Sequence, residues 1–525
     1  MPAGVSKRLP FSLLICLRGV IPIRNLNDIR AGVIREDGLT YPGKSVIDYI
    51  NEPAFESSKG EILDFILDIE KASLLMLRKQ GILSESDAAR LAEQLRVFPA
   101  EQLRAMKFDR EYAEDMFFAV EKMLGDLAGG SASNLHLGRS RNDMMRTVNK
   151  MNIRARFFEL CVRTEDFIEI ILAMAEHYAG LLMPGYTHTQ QAQPLTLGHY
   201  LLGVAEMLQR DLNRLRNEFS VIQLCPMGAG ALTTTSFPID RAVMCELLGF
   251  DQVMVNSYDA VCSSDFLTGA AAAVSVLCGD LGRFVMHLHV WSAMEYGILK
   301  PGRAYIGISS MMPQKRNPST LEHVRAGLSE CVGQAAAVTV MNHNCEFEGN
   351  IDVVDSPDVL CGLLEKAGAN IDLLGRICAT MDFDEDLLRR RTLGSFAVMT
   401  DFADFLVQKE HIEYRMAHAI ASRAVDACLS TGRDLSGLDE AVINDAFFSV
   451  TGRRASFTYA EALSALDASV CAERHNARGG TSKKAVSDML RDLSAAFEKD
   501  KSWLEQVRNR LDSCKALLER EINNL

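Results

Sequence analysis

The sequence RSRNDMMRTVNKMNIRARFFELCVRTEDFIEIILAMAEHYA, residues 139–179, contains neither glycine nor proline. As one continuous helix it would be about 60 Å long, at a rise of about 1.5 Å per residue. Apolar side chains between Phe167 and Met174 surround nearly the whole circumference of that helix. A helix that is apolar on every side is buried within a larger structure. The stretch therefore predicts a bundle of helices that buries further surface in an oligomer.

Four other stretches carry few helix breakers and are far longer than an average helix. Pro318 and Pro357 suit first-turn positions, and Ser356 is the predicted cap before Pro357. Aromatic residues make up only 7% of a chain that is 48% hydrophobic, a composition that favours long helices over sheets. The four stretches are residues 196–225, 266–294, 318–341 and 357–381.

We predict an all-α fold in which a long central helical bundle is flanked by two smaller helical domains. The N-terminal extension contains an apolar run, Phe11–Leu17, which is too short to cross a bilayer. No acidic residue precedes Asp28, which is compatible with a transit peptide. The simpler interpretation, which we prefer, is a dispensable extension or a misplaced start codon. The predicted borders place the extension at 1–45, an N-terminal helical domain at 46–143, the central bundle at 144–382 and a C-terminal helical domain at 383–525.

Charge and composition exclude several classes of partner. The net charge of −13 and the sequence pI of about 5.4 argue against a nucleic-acid-binding protein. The 13 cysteines include no C-x-x-C pair and indicate the reduced thiols of a cytoplasmic protein. His287 and His289 point to different faces of one predicted helix, and no dinucleotide, phosphate-loop or H-E-x-x-H motif occurs. We expect no metal, no cofactor, no nucleic acid and no membrane partner.

The carboxylate loop, Leu137-Gly-Arg-Ser-Arg-Asn-Asp143, precedes the longest predicted helix. Backbone N–H groups at a helix start, together with arginine side chains, form a typical carboxylate-binding site. A solvated helix cap with two surface arginines is the alternative.

The hairpin loop, Pro184-Gly-Tyr-Thr-His-Thr-Gln-Gln-Ala-Gln-Pro194, is a polar segment between two turn residues. His188 is its candidate acid or base, because the pKa of an imidazole lies near neutral pH. A histidine that only makes a structural hydrogen bond is the alternative.

The serine loop, Gly307-Ile-Ser-Ser-Met-Met-Pro-Gln-Lys-Arg-Asn-Pro318, lies between a glycine and another long helix. A mobile loop of this kind could place a serine and a lysine over a bound anion. An irregular linker is the alternative.

These three loops, in this order and at these spacings, resemble the three signature regions of the fumarase/aspartase superfamily, and within it the argininosuccinate lyase family. The similarity begins near Ser57 and continues to the end of the chain. It includes Pro226–Gly230, Asn256–Asp259 and Arg478–Ser482. The resemblance implies a homotetramer whose active sites each take the three loops from three different subunits.

The resemblance also implies a carbon–nitrogen lyase that eliminates fumarate from an N-substituted aspartate, with argininosuccinate as the expected substrate. It assigns catalysis to Ser309 and to His188 held by Glu322, and we favour Ser309 as the base. Because the intermediate is a dianion, the site needs preplaced positive charge and hydrogen-bond donors. The substrate-binding residues that the resemblance implies are Ser57, Ser140, Arg141, Asn142, Thr187, Gln193, Lys315 and Asn317.

The chain departs from the family pattern on the side that would hold the amine. Residues 341–350, Met-Asn-His-Asn-Cys-Glu-Phe-Glu-Gly-Asn, stand where the family has T-Y-N-x-D-L-Q-E; we call them the amine segment. Phe117 replaces a histidine that is usual in the family, and Ile308 replaces the glycine before the double serine. Two further readings therefore stay open: a related lyase with another leaving amine, and a non-catalytic homologue used as structural bulk.

Overall fold

The computed structural model describes residues 25–350 and 352–525, and this part of the chain is mainly helical. The first 24 residues of the predicted extension lie outside the described residues, and helix α1 follows them. The helices are α1 (Leu26–Asp37), α2 (Lys44–Val46), α3 (Glu52–Ser57), α4 (Glu61–Lys79), α5 (Glu85–Arg96), α6 (Ala100–Ala105), α7 (Met116–Ala128), α8 (Arg141–His177), α9 (Leu197–Ile222), α10 (Arg241–Leu247), α11 (Ser257–Cys262), α12 (Asp265–Trp291), α13 (Ser319–Asn342), α14 (Asp352–Thr380), α15 (Glu385–Leu393), α16 (Met399–Glu410), α17 (Tyr414–Ser430), α18 (Glu440–Thr451), α19 (Tyr459–Ala465), α20 (Ala468–Arg474) and α21 (Lys483–Asn523).

Short strands pair two by two between the helices and form no larger sheet in the described chain. The pairs are β1–β2, β3–β4, β5–β8 and β6–β7, and only β3–β4 is parallel. The all-α prediction is therefore confirmed, with two of the antiparallel pairs carrying predicted loops. The strands are β1 (Leu182–Thr187), β2 (Gln190–Thr196), β3 (Leu224–Cys225), β4 (Gln252–Val253), β5 (Leu299–Lys300), β6 (Gly307–Ile308), β7 (Arg316–Asn317) and β8 (Asp382–Phe383).

The chain separates into two compact units. One comprises the described residues up to Leu67 together with Val97–Ser133, and the other comprises Asp68–Arg96 and Asn134–Leu525. The smaller unit packs Phe55 against Phe108, with 5.6 Å between the ring centroids. The larger unit holds the bundle, the three predicted loops and the C-terminal helices. The predicted domain borders at residues 143 and 382 stay predictions.

The five long helices predicted for the central third are present as α8, α9, α12, α13 and α14. They pack on one another around an extensive apolar core, and α21 lies along α8 and α9. The predicted cap of α14 was wrong. The helix begins at Asp352, so Ser356 lies inside it, buried, and donates a hydrogen bond to Asn342 Oδ1 at 3.4 Å.

Two bundle helices leave small and apolar side chains on the surface of this chain. Val276 and Met286 are exposed on α12, and Val332 and Val340 are exposed on α13. By length and composition α12 could cross a membrane, but half of its apolar window is buried against the other helices. Burial of that extent is ordinary for a core helix, so α12 is weak evidence for a membrane span.

The C-terminal helices α16–α20 enclose an apolar cluster of their own around Phe402, Phe447 and Phe457. The β1–β2 hairpin packs on α15 and α20. Helices from the C-terminal part of the chain therefore support the hairpin loop. Thr196, at the end of β2, caps α9 by accepting a hydrogen bond from the His199 N–H at 3.1 Å.

Candidate active site

The carboxylate loop ends in a capping box that starts α8. The Ser140 side chain accepts a hydrogen bond from the helix backbone, and Asp143 returns one by accepting the Ser140 N–H at 2.9 Å. Arg141 and Asn142 are exposed in the first helical turn, where backbone N–H groups and the helix dipole favour an anion. The Asn142 amide donates to the Ala231 carbonyl at 3.5 Å. This geometry suits a site for a carboxylate.

The two arginines of this loop have different environments. The Arg139 side chain is only 4% exposed, and its Nη2 lies 3.0 Å from the buried carboxylate of Glu70. Its Nη1 donates to Ser73 Oγ at 3.1 Å. Arg139 therefore holds the loop to α4, which leaves Arg141 as the exposed arginine that is able to meet a substrate.

Asp143 is a buried residue of the carboxylate loop to which the sequence analysis assigned no role. It is completely buried, and its Oδ2 accepts the N–H groups of Gly228 at 3.0 Å and Gly230 at 2.9 Å. Burial raises the pKa of Asp143 to about 6, although the hydrogen bonds from Ser140, Gly230 and Gly228 act in the opposite direction. The spacing of Ser140 and Asp143 was the one signal in the sequence, because the two glycines lie far along the chain.

The amine segment lies beside Asn142 in the same chain. A side chain at Gly349 would begin 3.8 Å from Asn142 Nδ2 and 3.6 Å from Val261. The Tyr258 hydroxyl donates to the Phe347 carbonyl at 2.8 Å, and the two rings are 5.6 Å apart. The segment that differs from the family is thus next to a predicted carboxylate ligand.

Glu346 and Glu348 of the amine segment are exposed, and the Glu348 N–H donates to the Glu346 carbonyl at 2.7 Å. Burial raises the pKa of Tyr258, and the nearby charge of Glu348 raises it further. The segment therefore presents carboxylates and an aromatic ring, both of which attract a cation.

The hairpin loop forms the tight turn between β1 and β2, with Thr187 opposite Gln190. His188 and Thr189 both adopt left-handed backbone conformations, with φ of 51° and 61°. Thr187, His188 and Gln193 are all exposed, as a loop that meets a substrate must be.

The serine loop connects β6 to β7, whose register pairs Gly307 with Asn317. Ser309 is half-buried, and its Oγ accepts the N–H groups of Met311 at 3.3 Å and Met312 at 3.0 Å. Lys315 is exposed and Asn317 is half-buried. A Cβ at Gly307 would lie 2.6 Å from Ser319 Oγ, so a side chain there would force the Ser319 hydroxyl to turn away.

The remaining predicted residues are spread over the chain. Glu322 lies in the first turn of α13, and its carboxylate is 3.6 Å from His289 Nε2 rather than beside His188. Ser57 ends α3 in the smaller unit and donates to the Ala54 carbonyl at 2.9 Å. Phe117, which stands where the family has a histidine, is buried in α7 of that unit.

One chain assembles only part of the predicted site. Asn142 lies with the Gly228–Ala231 loop, Tyr258 and the amine segment. Within the described residues, no hydrogen bond or ion pair joins Asn142 to His188, Ser309 or Lys315. The same residues contain no group of three or more His, Cys, Asp or Glu side chains placed to hold a metal ion.

Comparison with known proteins decides the family. A family model described as lyase matches residues 75–333, and a model of the argininosuccinate lyase C-terminal region matches residues 396–473. The argininosuccinate lyase of Methanothrix thermoacetophila is 32% identical over 470 residues, which cover 86% of this chain and 94% of the relative. The chain belongs to the argininosuccinate lyase family. Argininosuccinate lyase 1 of Shouchella clausii is 29% identical, with 91% of this chain and 96% of that relative covered.

Solved structures agree with the argininosuccinate lyase family fold. The crystal structure of EDDS lyase in complex with formate matches with a TM-score of 0.81 at 25% identity, covering 94% of this chain and 98% of that one. Class II fumarase from Schistosoma mansoni has the same fold, with a TM-score of 0.65 at 15% identity. The predicted fold and the predicted class, a carbon–nitrogen lyase that releases fumarate, are confirmed, and the structural-bulk alternative is not supported.

Proposed function

We propose that this enzyme cleaves argininosuccinate into arginine and fumarate. The observation that carries the proposal is the placement of the amine segment, with its two exposed glutamates, directly beside Asn142 of the carboxylate loop. One face of such a site would meet the carboxylates of the succinyl group. The other would meet a cationic leaving group, as the guanidinium of argininosuccinate is. Several relatives named argininosuccinate lyase support this choice.

We assign the fumarate half of the site to residues that supply donors and positive charge. Removal of the β-proton of the succinyl group leaves a carbanion that becomes a dianionic aci-carboxylate, which such groups stabilise most strongly in a water-poor site. Arg141 and Lys315 supply charge, and the asparagines supply N–H donors. The proposed carboxylate ligands are Ser140, Arg141, Asn142, Lys315 and Asn317. Ser57, Thr187 and Gln193 are further proposed substrate-binding residues.

The elimination needs two proton transfers. In our proposal Ser309 takes the β-proton, the electron pair of that C–H bond becomes the double bond of fumarate, and the carbon–nitrogen bond breaks. His188, held by Glu322, gives a proton to the departing nitrogen. Since Glu322 faces His289 within this chain, the His188–Glu322 pair would form between subunits.

We therefore propose a homotetramer with shared active sites. The exposed apolar positions on α12 and α13 support further helix packing, and one chain alone assembles only part of the site. Mixed tetramers of Ser309→Ala and His188→Asn subunits, each inactive alone, should recover activity because some sites then lack both changes. Complete inactivity of properly mixed tetramers would contradict shared sites. We also propose a cytoplasmic location, with the free and mostly buried thiols as support.

A second substrate class is favoured by one observation. EDDS lyase matches this chain closely in structure, and the amine segment here departs from the argininosuccinate lyase pattern. The glutamates of that segment would accept another cationic amine by the same charge-assisted hydrogen bonds. The alternative is thus a different amine-substituted aspartate with the same fumarate chemistry.

The deciding experiment follows fumarate release by its ultraviolet absorbance with a panel of N-substituted aspartates. We expect kcat/KM for argininosuccinate within the range of about 10⁴–10⁸ M⁻¹s⁻¹ that is usual for natural substrates. A value far below that range, together with a better substrate in the panel, would replace argininosuccinate and keep the lyase class. The Ser309→Ala protein controls for contaminating activity.

A further inference from the structure

The connecting segment, residues 223–264 between α9 and α12, approaches the site at two points. At the first, the Ala231 carbonyl accepts the Asn142 amide at 3.5 Å. At the second, Val261 lies against Gly349 of the amine segment. At both points a buried charged side chain of α8 binds the backbone of the connecting segment. Asp143 binds Gly230, the residue before Ala231, and Arg146 binds Val261 itself.

At the first point the charge is negative. The Asp143 carboxylate accepts the N–H of Gly230, the residue before Ala231, at 2.9 Å, and the N–H of Gly228 at 3.0 Å. Both glycines have positive φ, 82° and 62°. A Cβ at Gly230 would lie 2.8 Å from the Thr234 carbonyl, so this loop adopts a conformation in which a side chain has no room.

Further along the same helix the charges are positive, and they meet carbonyl groups. Arg146 Nε donates to the Val261 carbonyl at 2.7 Å. Lys150 Nζ donates to the Val221 carbonyl at 3.2 Å and lies 4.5 Å from the centre of the Phe266 ring. Arg154 donates to the carbonyls of residues 248 and 249 at 3.0 and 3.1 Å. Each α8 charge therefore meets the backbone group of opposite polarity.

We propose that Asp143 is a positioning residue for the lyase reaction, whose carboxylate fixes the Ala231 carbonyl and so orients the Asn142 amide toward the substrate carboxylate. Arg146 and Arg154 hold the rest of the connecting segment to the same helix, and Lys150 binds the end of α9. The inference rests on the proposed function only in that Asn142 binds a carboxylate of the substrate or of fumarate.

A carboxylate is required at this position because it accepts N–H donors on both oxygens. In Asp143→Asn one of those oxygens becomes an NH₂ group, which would face an N–H donor at either the Ser140 or the Gly228–Gly230 side. The variant keeps the size of the side chain. It loses part of the set of hydrogen bonds by which the Asp143 carboxylate holds Ser140, Gly228 and Gly230, which we call the clamp. The charged groups that face Asp143 are Arg139, itself paired with Glu70, and Arg241 of α10.

The test measures fumarate affinity by titration calorimetry, together with KM and kcat, for Asp143→Asn. The matched control is Asp500→Asn, another buried carboxylate, which accepts a hydrogen bond from Gln209 away from the site. We expect fumarate affinity to fall by about tenfold or more in Asp143→Asn, with KM rising in parallel, because small misplacements of a ligand group are costly. We expect the control to bind fumarate as the wild type does.

A second variant keeps the test decisive where Asp143→Asn fails to assemble. Gly230→Ala displaces the same loop without changing the carboxylate, since its Cβ would lie 2.8 Å from the Thr234 carbonyl. We expect this loop variant to fold and to weaken fumarate binding by several-fold. The proposal is overturned where every variant that folds binds fumarate as the Asp500→Asn protein does. Wild-type protein that binds fumarate but does not cleave argininosuccinate would instead refute the proposed substrate and leave the role of Asp143 testable.

Discussion

The carboxylate loop and the amine segment are neighbours in space but are built differently. The carboxylate loop starts a long buried helix with a capping box, and Asp143 ties it to a second loop through buried hydrogen bonds. The amine segment is an exposed turn between α13 and α14, and Tyr258 of the connecting segment donates a hydrogen bond to its Phe347 carbonyl. The first region matches its family and the second does not. The developing negative charge on the fumarate side needs preplaced donors, whereas the contacts to the leaving group decide which substrate is accepted.

The largest effect should come from the proton-transfer residue on the fumarate side. Ser309→Ala should lower kcat by about 10²–10⁴-fold, the usual contribution of a positioned acid or base. Fumarate affinity should change little, because the serine acts on a proton during the reaction. Ser310→Ala, the exposed neighbour in the same loop, is the control and should retain most activity. Near-normal turnover in Ser309→Ala would remove this serine from the mechanism.

The helices and the site differ in how far the sequence predicts them. A long stretch without glycine or proline predicted α8, and long stretches with few helix breakers predicted α9, α12, α13 and α14, because helix breakers act locally. The cap at Ser356 was wrong because the helix starts earlier and the Ser356 hydroxyl turns to Asn342 of the preceding helix. Pro357 inside the helix costs one backbone hydrogen bond, which packing of the apolar face offsets.

The clamp at Asp143 could not be predicted in the same way. Its partners Gly228 and Gly230 belong to another loop, and only the folded chain brings their N–H groups to one carboxylate. The loops that carry Ser309 and His188 were found from their residue types and the family resemblance. Their roles stay predictions, since no hydrogen bond or ion pair among the described residues joins them to Asn142.

The second effect concerns the stability cost of the buried clamp. Because burial raises the pKa of Asp143 from 3.8 to about 6, its protonated form is favoured in the folded state. Protonated Asp143 therefore adds about 3 kcal/mol to the free energy of unfolding. This stabilisation is complete below pH 3.8 and is lost as the pH rises through about 6. Asp143→Asn lacks this titration.

Chemical unfolding of wild type and Asp143→Asn at pH 4 and pH 7, at one protein concentration, measures this cost. We expect the wild type to lose stability relative to the variant between the two pH values. A pH-independent difference would show that the hydrogen bonds to Asp143 compensate its burial fully. The expected outcome would mean that Asp143 is ionised at neutral pH at a cost in stability, and that the ionised carboxylate is kept because substrate binding requires it.

The third effect lies on the amine side and should be selective. Glu348→Gln removes a carboxylate next to Tyr258 and should raise KM for argininosuccinate by about tenfold, since a hydrogen bond to a charged group contributes about 1.5–3 kcal/mol. Fumarate affinity is the internal control and should not change. Glu346→Gln, two residues away, reports which glutamate faces the guanidinium. Equal losses for argininosuccinate and fumarate in Glu348→Gln would contradict a division of the site into two halves.

The smallest effect tests whether the amine segment is positioned by the aromatic contact between Tyr258 and Phe347. Tyr258→Phe keeps the ring that lies 5.6 Å from Phe347 and removes the hydroxyl that donates to the Phe347 carbonyl. A neutral hydrogen bond contributes about 0.5–1.5 kcal/mol, so KM for argininosuccinate should rise by about threefold, with kcat nearly unchanged. A rise in KM that is limited to substrates with a cationic amine would show that the Tyr258 hydroxyl positions Glu348 through the neighbouring Phe347 carbonyl. If Tyr258→Phe weakened the binding of fumarate and of argininosuccinate equally, the contact would instead position Asn142 of the carboxylate loop. The amine segment and the carboxylate loop would then not act as separate halves of the site.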